Sequence, residues 1–168
     1  MTIEQALREA LKYEVNIRDL YVDAARKAED EEAGRFYRLL GEDEQSHVDY
    51  LQKKLQQWKV EGRISFETLA SALPDPGRVE DAARKAGAPL SGRELGGETE
   101  ALSRALKAEE LTSAFYRNLV GGLEGEAGRL FARFVEIEEG HTRIVRAELD
   151  LTTKTGHWFD MRVFDLED

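Results

Sequence analysis

Four long stretches of the chain place apolar residues three and four positions apart, which puts those residues on one face of a helix. This pattern predicts helices over residues 3–28, 31–61, 98–120 and from about 124 to 151. Residues 62–97 hold all three prolines and break the pattern. We therefore expect an all-α four-helix bundle, with two helix pairs joined by a long crossover between the second and third helices.

The segments outside the four patterns carry weaker signals. Within the crossover, residues 66–73 and 79–86 favour short helices. Residues 155–168 form an aromatic tail without helical periodicity, after a bundle over residues 1–154. Because a free tail would expose much apolar surface, we expect its aromatic side chains to pack against the bundle or a second subunit. These side chains are Trp158, Phe159 and Phe164.

Each predicted helix carries polar residues in the middle of its apolar face. The first and third helices have one glutamate each, and the second and fourth each have the sequence Glu-x-x-His. These residues are Glu14, Glu44, His47, Glu109, Glu138 and His141. Positions i and i+3 of a helix lie on the same face, so each Glu-x-x-His pair can point at one spot. Four carboxylates buried together repel one another unless cations neutralise them.

The chain repeats itself at an offset of 94 residues. Residues 32–47 and 126–141 are identical at seven of sixteen positions, and the Glu and His of the motif are among them. Upstream, a Glu and a Tyr seven residues apart recur at an offset of 95 residues. These pairs are Glu14 with Tyr21, and Glu109 with Tyr116. We interpret the chain as two copies of a two-helix unit.

Composition narrows the classes of function. The chain has no cysteine, which excludes disulfides, thiol catalysis and thiolate-bound zinc or iron. Its net charge of −10 argues against nucleic acid or an anionic membrane as a partner. No stretch approaches the ~20 apolar residues of a membrane span, and an amphipathic pattern begins at Ile3 in place of a signal segment. We therefore expect a cytoplasmic protein.

The two Glu-x-x-His copies, each about 30 residues after an inward glutamate, resemble the rubrerythrin-type branch of the ferritin-like di-iron proteins. The resemblance covers residues 3–150 apart from much of the crossover. It implies a ferritin-like bundle whose six ligands bind two iron ions, and manganese suits the same oxygen and imidazole ligands. It also implies an oxidoreductase that reduces hydrogen peroxide or dioxygen in oxidative-stress defence. Tyr21 and Tyr116 resemble tyrosines beside the ligands of that family.

Two departures from the family pattern change what the resemblance implies. Rubrerythrins end in a rubredoxin domain with a four-cysteine iron, so this chain without cysteine would need an external electron-donor protein. The family also usually carries a further glutamate three residues after the third-helix ligand, where this chain has Thr112. The ligand exchange associated with that glutamate is therefore not carried over. We expect a homo-oligomer, first of all a dimer.

Other interpretations fit the same residues. A ferroxidase that handles iron would use the same six ligands, and storage would require a cage-like oligomer. A di-manganese catalase and a metal-free helical interaction protein are further alternatives. Core packing with a buried hydroxyl bond would explain Tyr21 and Tyr116 as well as a role at the site does. Glu110 competes with Glu109 as the ligand, although the repeat favours Glu109.

Overall fold

The structure, a computed structural model, describes residues 1–86 and 97–167, so residues 87–96 of the predicted crossover lie outside it. The described chain is all helical, and no strand occurs in these two ranges. The helices are α1 (Ile3–Lys27), α2 (Glu31–Glu61), α3 (Pro76–Lys85), α4 (Gly97–Val120) and α5 (Gly125–Thr155), followed by a 3₁₀ helix over Met161–Glu167. The predicted all-α class, with four long helices, is confirmed.

Local sequence signals explain where the long helices begin and end. Thr2 and Gln5 bond to each other's backbone amides across the first turn of α1. Asp30 accepts hydrogen bonds from two backbone amides in the first turn of α2. Gly62 and Gly156, with positive φ angles of 66° and 72°, follow α2 and α5. These caps set the length of the helices that carry the polar residues.

The crossover differs from its prediction at two places. Residues 66–73 contain no helix, and the chain just before them is tied to α2, where the buried Lys54 ammonium donates to the Ser65 carbonyl at 2.6 Å. This bond holds the backbone that leads into residues 66–73 against α2. The second short helix begins at Pro76, three residues before its prediction, because Asp75 caps it and a proline suits the first helical position.

Two helix pairs enclose the interior. Helix α1 packs along α2, α4 packs along α5, and the pairs meet through α1 and α4. Their apolar faces form two separate clusters, one including Leu7, Leu51 and Phe131 and the other including Phe36 and Val145. Along every long helix, the buried glutamates and histidines other than Glu148 fall between residues of one cluster and residues of the other. The interior is therefore a polar layer with an apolar cluster on each side.

The aromatic tail packs against the bundle. The Trp158 ring centroid lies 5.8 Å from that of Phe36 and 5.5 Å from that of Tyr37. Phe164 is buried within the same apolar cluster, and Phe159 packs against that cluster while partly exposed. The tail thus covers apolar surface of its own chain.

Glu148 on α5 is a buried carboxyl outside the polar layer. One of its oxygens accepts a hydrogen bond of 2.8 Å from the Phe159 amide of the tail. Burial raises the pKa of Glu148 to about 8, although the bond from Phe159 lowers it, and the charges of Asp30 and Glu32 add to the increase. The folded protein therefore holds this proton at neutral pH.

Replacing Glu148 with Gln should remove part of the pH dependence of stability. The unfolded chain releases this proton near its ordinary pKa of 4.5 and the folded chain near 8. The free energy of unfolding therefore falls as pH rises between these values, by up to ~1.4 kcal/mol per pH unit from this group. Urea unfolding should show E148Q equal to wild type near pH 4.5 and more stable at pH 8. The exposed Asp150→Asn is the control, and a difference between E148Q and wild type that does not grow with pH would contradict the assignment.

Candidate metal centre

The six residues predicted as metal ligands meet in the polar layer. Each of them is at most 1% exposed. Helix α1 supplies Glu14, α2 supplies Glu44 and His47, α4 supplies Glu109, and α5 supplies Glu138 and His141. Each residue sits on the inward face of its helix for the same reason as its apolar neighbours, since it follows the three- and four-residue spacing of the stripe. All four long helices therefore contribute to one site.

The ligand atoms of the layer form two overlapping groups, within each of which the atoms lie no more than 4.8 Å apart. One group contains Glu14, Glu44, His47 and Glu138, and the other contains Glu44, Glu109, Glu138 and His141. Glu44 and Glu138 belong to both groups. The geometry therefore offers two adjacent cation positions, with two shared carboxylates and one further glutamate and one histidine for each position.

His141 makes a contact that requires a proton or a metal ion. Its Nε2 lies 2.9 Å from a carboxylate oxygen of Asp43, and its Nδ1 lies 2.7 Å from a carboxylate oxygen of Glu44. A carboxylate only accepts hydrogen bonds, so a neutral imidazole that donates from Nε2 presents a lone pair at Nδ1. Two acceptors at this distance repel each other unless a proton or a metal ion lies between them.

His47 likewise has carboxylate oxygens close to a ring nitrogen, and it has more of them. Three carboxylate oxygens surround its Nδ1, at 3.1 Å from Glu14, 3.1 Å from Glu44 and 3.3 Å from Glu138. A single proton on Nδ1 can point at only one of these oxygens. A cation placed among them can contact all three and the nitrogen.

Several buried polar atoms of the layer have no hydrogen-bond partner among the residues that the structure describes. They are His47 Nε2, Glu109 Oε2 and both carboxylate oxygens of Glu138. Buried polar atoms without partners destabilise a fold, and native proteins avoid them. Carboxylate oxygens and imidazole nitrogens, without thiolate, are the donor set expected for iron or manganese. The residues present therefore fit a pair of such ions.

The electrostatics of the layer agree with this fit. Burial raises the pKa of Glu14, Glu109 and Glu138, and the charge on Glu44 acts in the same direction. Burial also opposes ionisation of Glu44, but the two imidazoles outweigh it and lower its pKa. Without metal the layer therefore keeps protons on some of its groups, and metal ions would displace them.

Tyr21 and Tyr116 lie beside the predicted ligands and connect the two halves of the chain. The Tyr21 hydroxyl donates a hydrogen bond to Glu109, and the Tyr116 hydroxyl donates one to Glu14. Burial raises the pKa of both phenols, and the charge of the bonded glutamate adds to the increase. Each phenol therefore keeps its proton, and each half of the chain supplies a hydrogen bond to a glutamate of the other half.

The structure distinguishes Glu109 from Glu110, which the sequence left as alternative candidates for the metal ligand. Glu110, the alternative to Glu109, is exposed and pairs with Arg146 at 2.8 Å. Thr112 directs its hydroxyl to a carbonyl of its own helix at 2.9 Å and adds no carboxylate to the layer. Of Glu109 and Glu110, only Glu109 lies in the polar layer.

Asp43 was missed by sequence reasoning. It is 1% exposed and faces His141, and its two oxygens also accept bonds of 2.7 Å each from the Ser71 hydroxyl and the Ala72 amide of the crossover. The bond from His141 helps to keep its pKa low, although burial acts in the opposite direction. Its spacing of four residues from His47 was the available signal, because positions i and i+4 share a helix face.

Comparison with known proteins supports the fold and does not identify a family. No family model matches the sequence, and no curated protein matches it. A solved structure of a hypothetical protein from Pyrococcus furiosus is similar, with a TM-score of 0.65, 23% identity and coverage of 91% of each chain. At this identity the similarity concerns the fold alone. Within the described ranges, no helix has the length and apolar character needed to cross a membrane.

Replacing Glu138 with Gln should abolish binding of a metal pair. Gln preserves the size of the side chain but removes a carboxylate that belongs to both ligand groups. Elemental analysis after anaerobic loading and dialysis should find two metal ions per wild-type chain and at most one per E138Q chain. The control is Glu136→Gln, an exposed change two residues away on the same helix, which should still bind two. Two ions bound by E138Q would mean that Glu138 is not shared.

Replacing Glu14 should test the bond from Tyr116 in the metal-free protein. Glu14→Gln removes a carboxylate whose pKa burial has raised and keeps an oxygen that can accept the bond. Glu14→Leu leaves the buried hydroxyl without its acceptor, so it should be less stable than E14Q by ~1–3 kcal/mol. Adding Tyr116→Phe to E14L should recover much of this loss. Urea unfolding measures the free energies, and equal stability of E14L with and without Y116F would contradict the bond.

Proposed function

We propose that the protein is a ferritin-like di-iron oxidoreductase of the rubrerythrin type, which reduces hydrogen peroxide or dioxygen. The observation that carries the proposal is the set of acceptor contacts around the two buried imidazoles, above all the 2.7 Å contact between His141 Nδ1 and Glu44. Two overlapping groups of oxygen and nitrogen ligands support a pair of ions rather than one. Two helix pairs joined through a crossover support the ferritin-like arrangement.

The proposed ligands would divide into shared and separate ones. Glu44 and Glu138, which belong to both ligand groups, would help to hold both metal ions. One position would be completed by Glu14 and His47, and the other by Glu109 and His141. When bound, two ferrous ions would supply the two electrons that reduce peroxide to water.

The other residues of the site control protons and water. The phenols of Tyr21 and Tyr116 hold their protons on oxygen and point them at glutamates. The Phe134 ring belongs to the apolar cluster that includes Leu7 and packs against the site, with its centroid 5.5 Å from that of His47 and 4.9 Å from that of Tyr116. Such packing keeps bulk water away from the ligands and strengthens the electrostatic interactions within the layer.

A cavity lies beside one edge of the site, at His141. It has a volume of about 370 Å³ and lies between the crossover and α5, lined by Ser71, Pro76, Arg133, Gly140 and His141 among others. The His141 side chain, which lines this cavity, is only 2% exposed. A cavity of this volume has room for a substrate as small as peroxide or dioxygen.

The electron donor would be a separate protein. The chain has no cysteine, so it cannot hold the four-cysteine iron that supplies electrons in rubrerythrins. We therefore place the reductant outside the chain.

Anaerobic reconstitution followed by rapid mixing with an oxidant tests the proposal. The metal-free protein is loaded with two ferrous ions per chain and mixed with peroxide or with dioxygen, while the ultraviolet and visible absorbance is followed. One peroxide should oxidise both ferrous ions and take up two protons to form two waters. E138Q should lose the reaction, and E136Q should keep it.

The alternatives give different outcomes in the same experiment. A ferroxidase would continue to oxidise added ferrous iron with dioxygen well beyond two ions per chain, and light scattering would show a cage-like oligomer if it stored iron. A manganese protein would bind manganese and show no ferrous oxidation at a catalytic rate. Failure to bind any metal would leave a helical interaction protein and refute the proposal.

A further inference from the structure

We propose that the aromatic tail is a pH-sensitive clasp, which the carboxyl group of Glu148 holds against the bundle and releases as it ionises. The clasp would open while the four long helices stay folded, so the response is confined to the tail. The inference goes beyond the proposed function and does not rest on it, because Glu148 is not one of the six proposed ligands.

The Glu148 carboxyl group is enclosed where the tail returns to α5. Its side chain is fully buried. The Phe159 amide of the tail donates to one oxygen at 2.8 Å, and the other oxygen is buried without a hydrogen-bond partner in the described ranges. An ionised carboxylate has two accepting oxygens, so a single donor replaces little of the hydration that it loses on burial. This environment therefore suits the neutral carboxylic acid and disfavours the carboxylate.

The charges that act on Glu148 from the start of α2 are negative. Burial raises the pKa of Glu148 to about 8, the charges of Asp30 and Glu32 add to the increase, and the Phe159 amide lowers it. Two cations contact Glu32 instead, since Arg35 donates to one of its oxygens at 2.8 Å and Arg162 of the tail lies 3.4 Å from the same oxygen. Ionised Glu148 would therefore meet two other carboxylates.

Tyr37 of α2 is the other titratable group on which Glu148 acts. Burial raises the pKa of Tyr37, the charges of Glu148 and Glu98 add to the increase, and the charge of Arg104 on α4 lowers it. The phenol therefore keeps its proton, which it donates to the Glu98 carbonyl in a hydrogen bond of 2.6 Å. Ionisation of Glu148 is thus not accompanied by a change of charge on Tyr37.

The tail is held by side chains that are only partly enclosed. Phe164 is buried, whereas Trp158 and Phe159 remain partly exposed. The pair between Arg162 and Glu32 is at the surface, and surface ion pairs contribute little to stability. A chain terminus held in this way opens at a lower free energy than the interior of a bundle. Water can therefore reach the buried carboxyl group without unfolding of the long helices.

The direction of the pH response follows from two pKa values of Glu148. With the tail docked the pKa is about 8, and in a released tail it approaches the ordinary value of 4.5. The docked form thus binds the proton more tightly, so docking is favoured most below pH 4.5 and weakens as pH rises toward 8. One pKa unit corresponds to a factor of ten, so the docking equilibrium should fall by up to about tenfold per pH unit in this range.

The tail covers rings that lead toward the proposed metal centre. The Trp158 ring centroid lies 5.5 Å from that of Tyr37, and the Tyr37 centroid lies 6.3 Å from that of Tyr21. Tyr21 in turn donates a hydrogen bond to Glu109. Release of the tail would uncover Tyr37 and bring water to the apolar cluster on one side of the polar layer.

Hydrogen exchange of the full-length chain, followed by mass spectrometry, measures opening of the tail separately from opening of the bundle. Each exchange rate is divided into that of an unstructured peptide of the same sequence, which removes the pH dependence of the exchange chemistry. Between pH 5 and pH 8 the protection of peptides from residues 157–164 should fall by up to about tenfold per pH unit. Peptides from residues 40–52 of α2 should keep their protection.

Three variants assign the response to one group. Glu148→Gln keeps the size of the side chain and an oxygen for the Phe159 amide, but it cannot ionise, so tail protection should stay nearly constant over this pH range. His157→Gln is the control, because histidine also titrates in this range and His157 lies in the tail. H157Q should keep the slope of wild type. Trp158→Ala removes a ring that docks the tail and should lower tail protection at every pH.

Several results would overturn the inference. They are constant tail protection in wild type, a slope in E148Q equal to that of wild type, and loss of the slope in H157Q. Parallel loss of protection in the tail and in α2 would mean that Glu148 acts on the whole fold, which also refutes a local clasp. If E148Q does not fold, W158A decides, and tail protection equal to that of wild type would then refute the clasp. All these results are independent of metal binding, so they leave the proposed function to its own test.

Discussion

Negative charge confined away from water is the constraint on which the rest of this structure depends. Four glutamates meet two imidazoles in one layer of the interior, and the layer is acceptable only with cations or protons among them. The apolar cluster on each side excludes water and holds the four helices at the distance that the layer requires. The tyrosine bonds between the halves and the tie from α2 to the crossover then limit how far any one ligand can move.

Most of this arrangement could be predicted from the sequence, because the helical spacing that indicates it is local and recurs in every long helix. Glu14 stands in an apolar stripe between Ala10 and Ile17, and the same interruption recurs in every long helix, so the layer could be inferred from helical spacing. The long helices were predicted well because each spans several turns of regular pattern. Residues 66–73 were not, because their apolar positions fit a helix while tertiary contacts hold the neighbouring backbone in another conformation.

Residues whose environment depends on distant parts of the chain could not be predicted. Asp43 lies in an acidic run, Glu42-Asp43-Glu44, and periodicity gives no sign that Ser71 will bond to it. Glu148 likewise looks like a surface residue until the tail folds back and places the Phe159 amide against it. In both cases a polar side chain is buried because a loop or terminus brings a partner to it, and spacing along a helix carries no information about that partner.

Hydrogen bonds from Tyr21 to Glu109 and from Tyr116 to Glu14 connect the two repeated halves of the chain. They illustrate a consequence of having both two-helix units in one chain. Two identical units associated as a symmetric pair could form the same two bonds. Such a pair would also have to place two copies of Asp43 where this chain has Asp43 and, at the equivalent position of the second half, Ile137. A covalent link frees each unit from being a copy of its partner, so a pseudo-symmetric set of candidate ligands can have surroundings that are not symmetric, and the two proposed metal positions can differ in affinity.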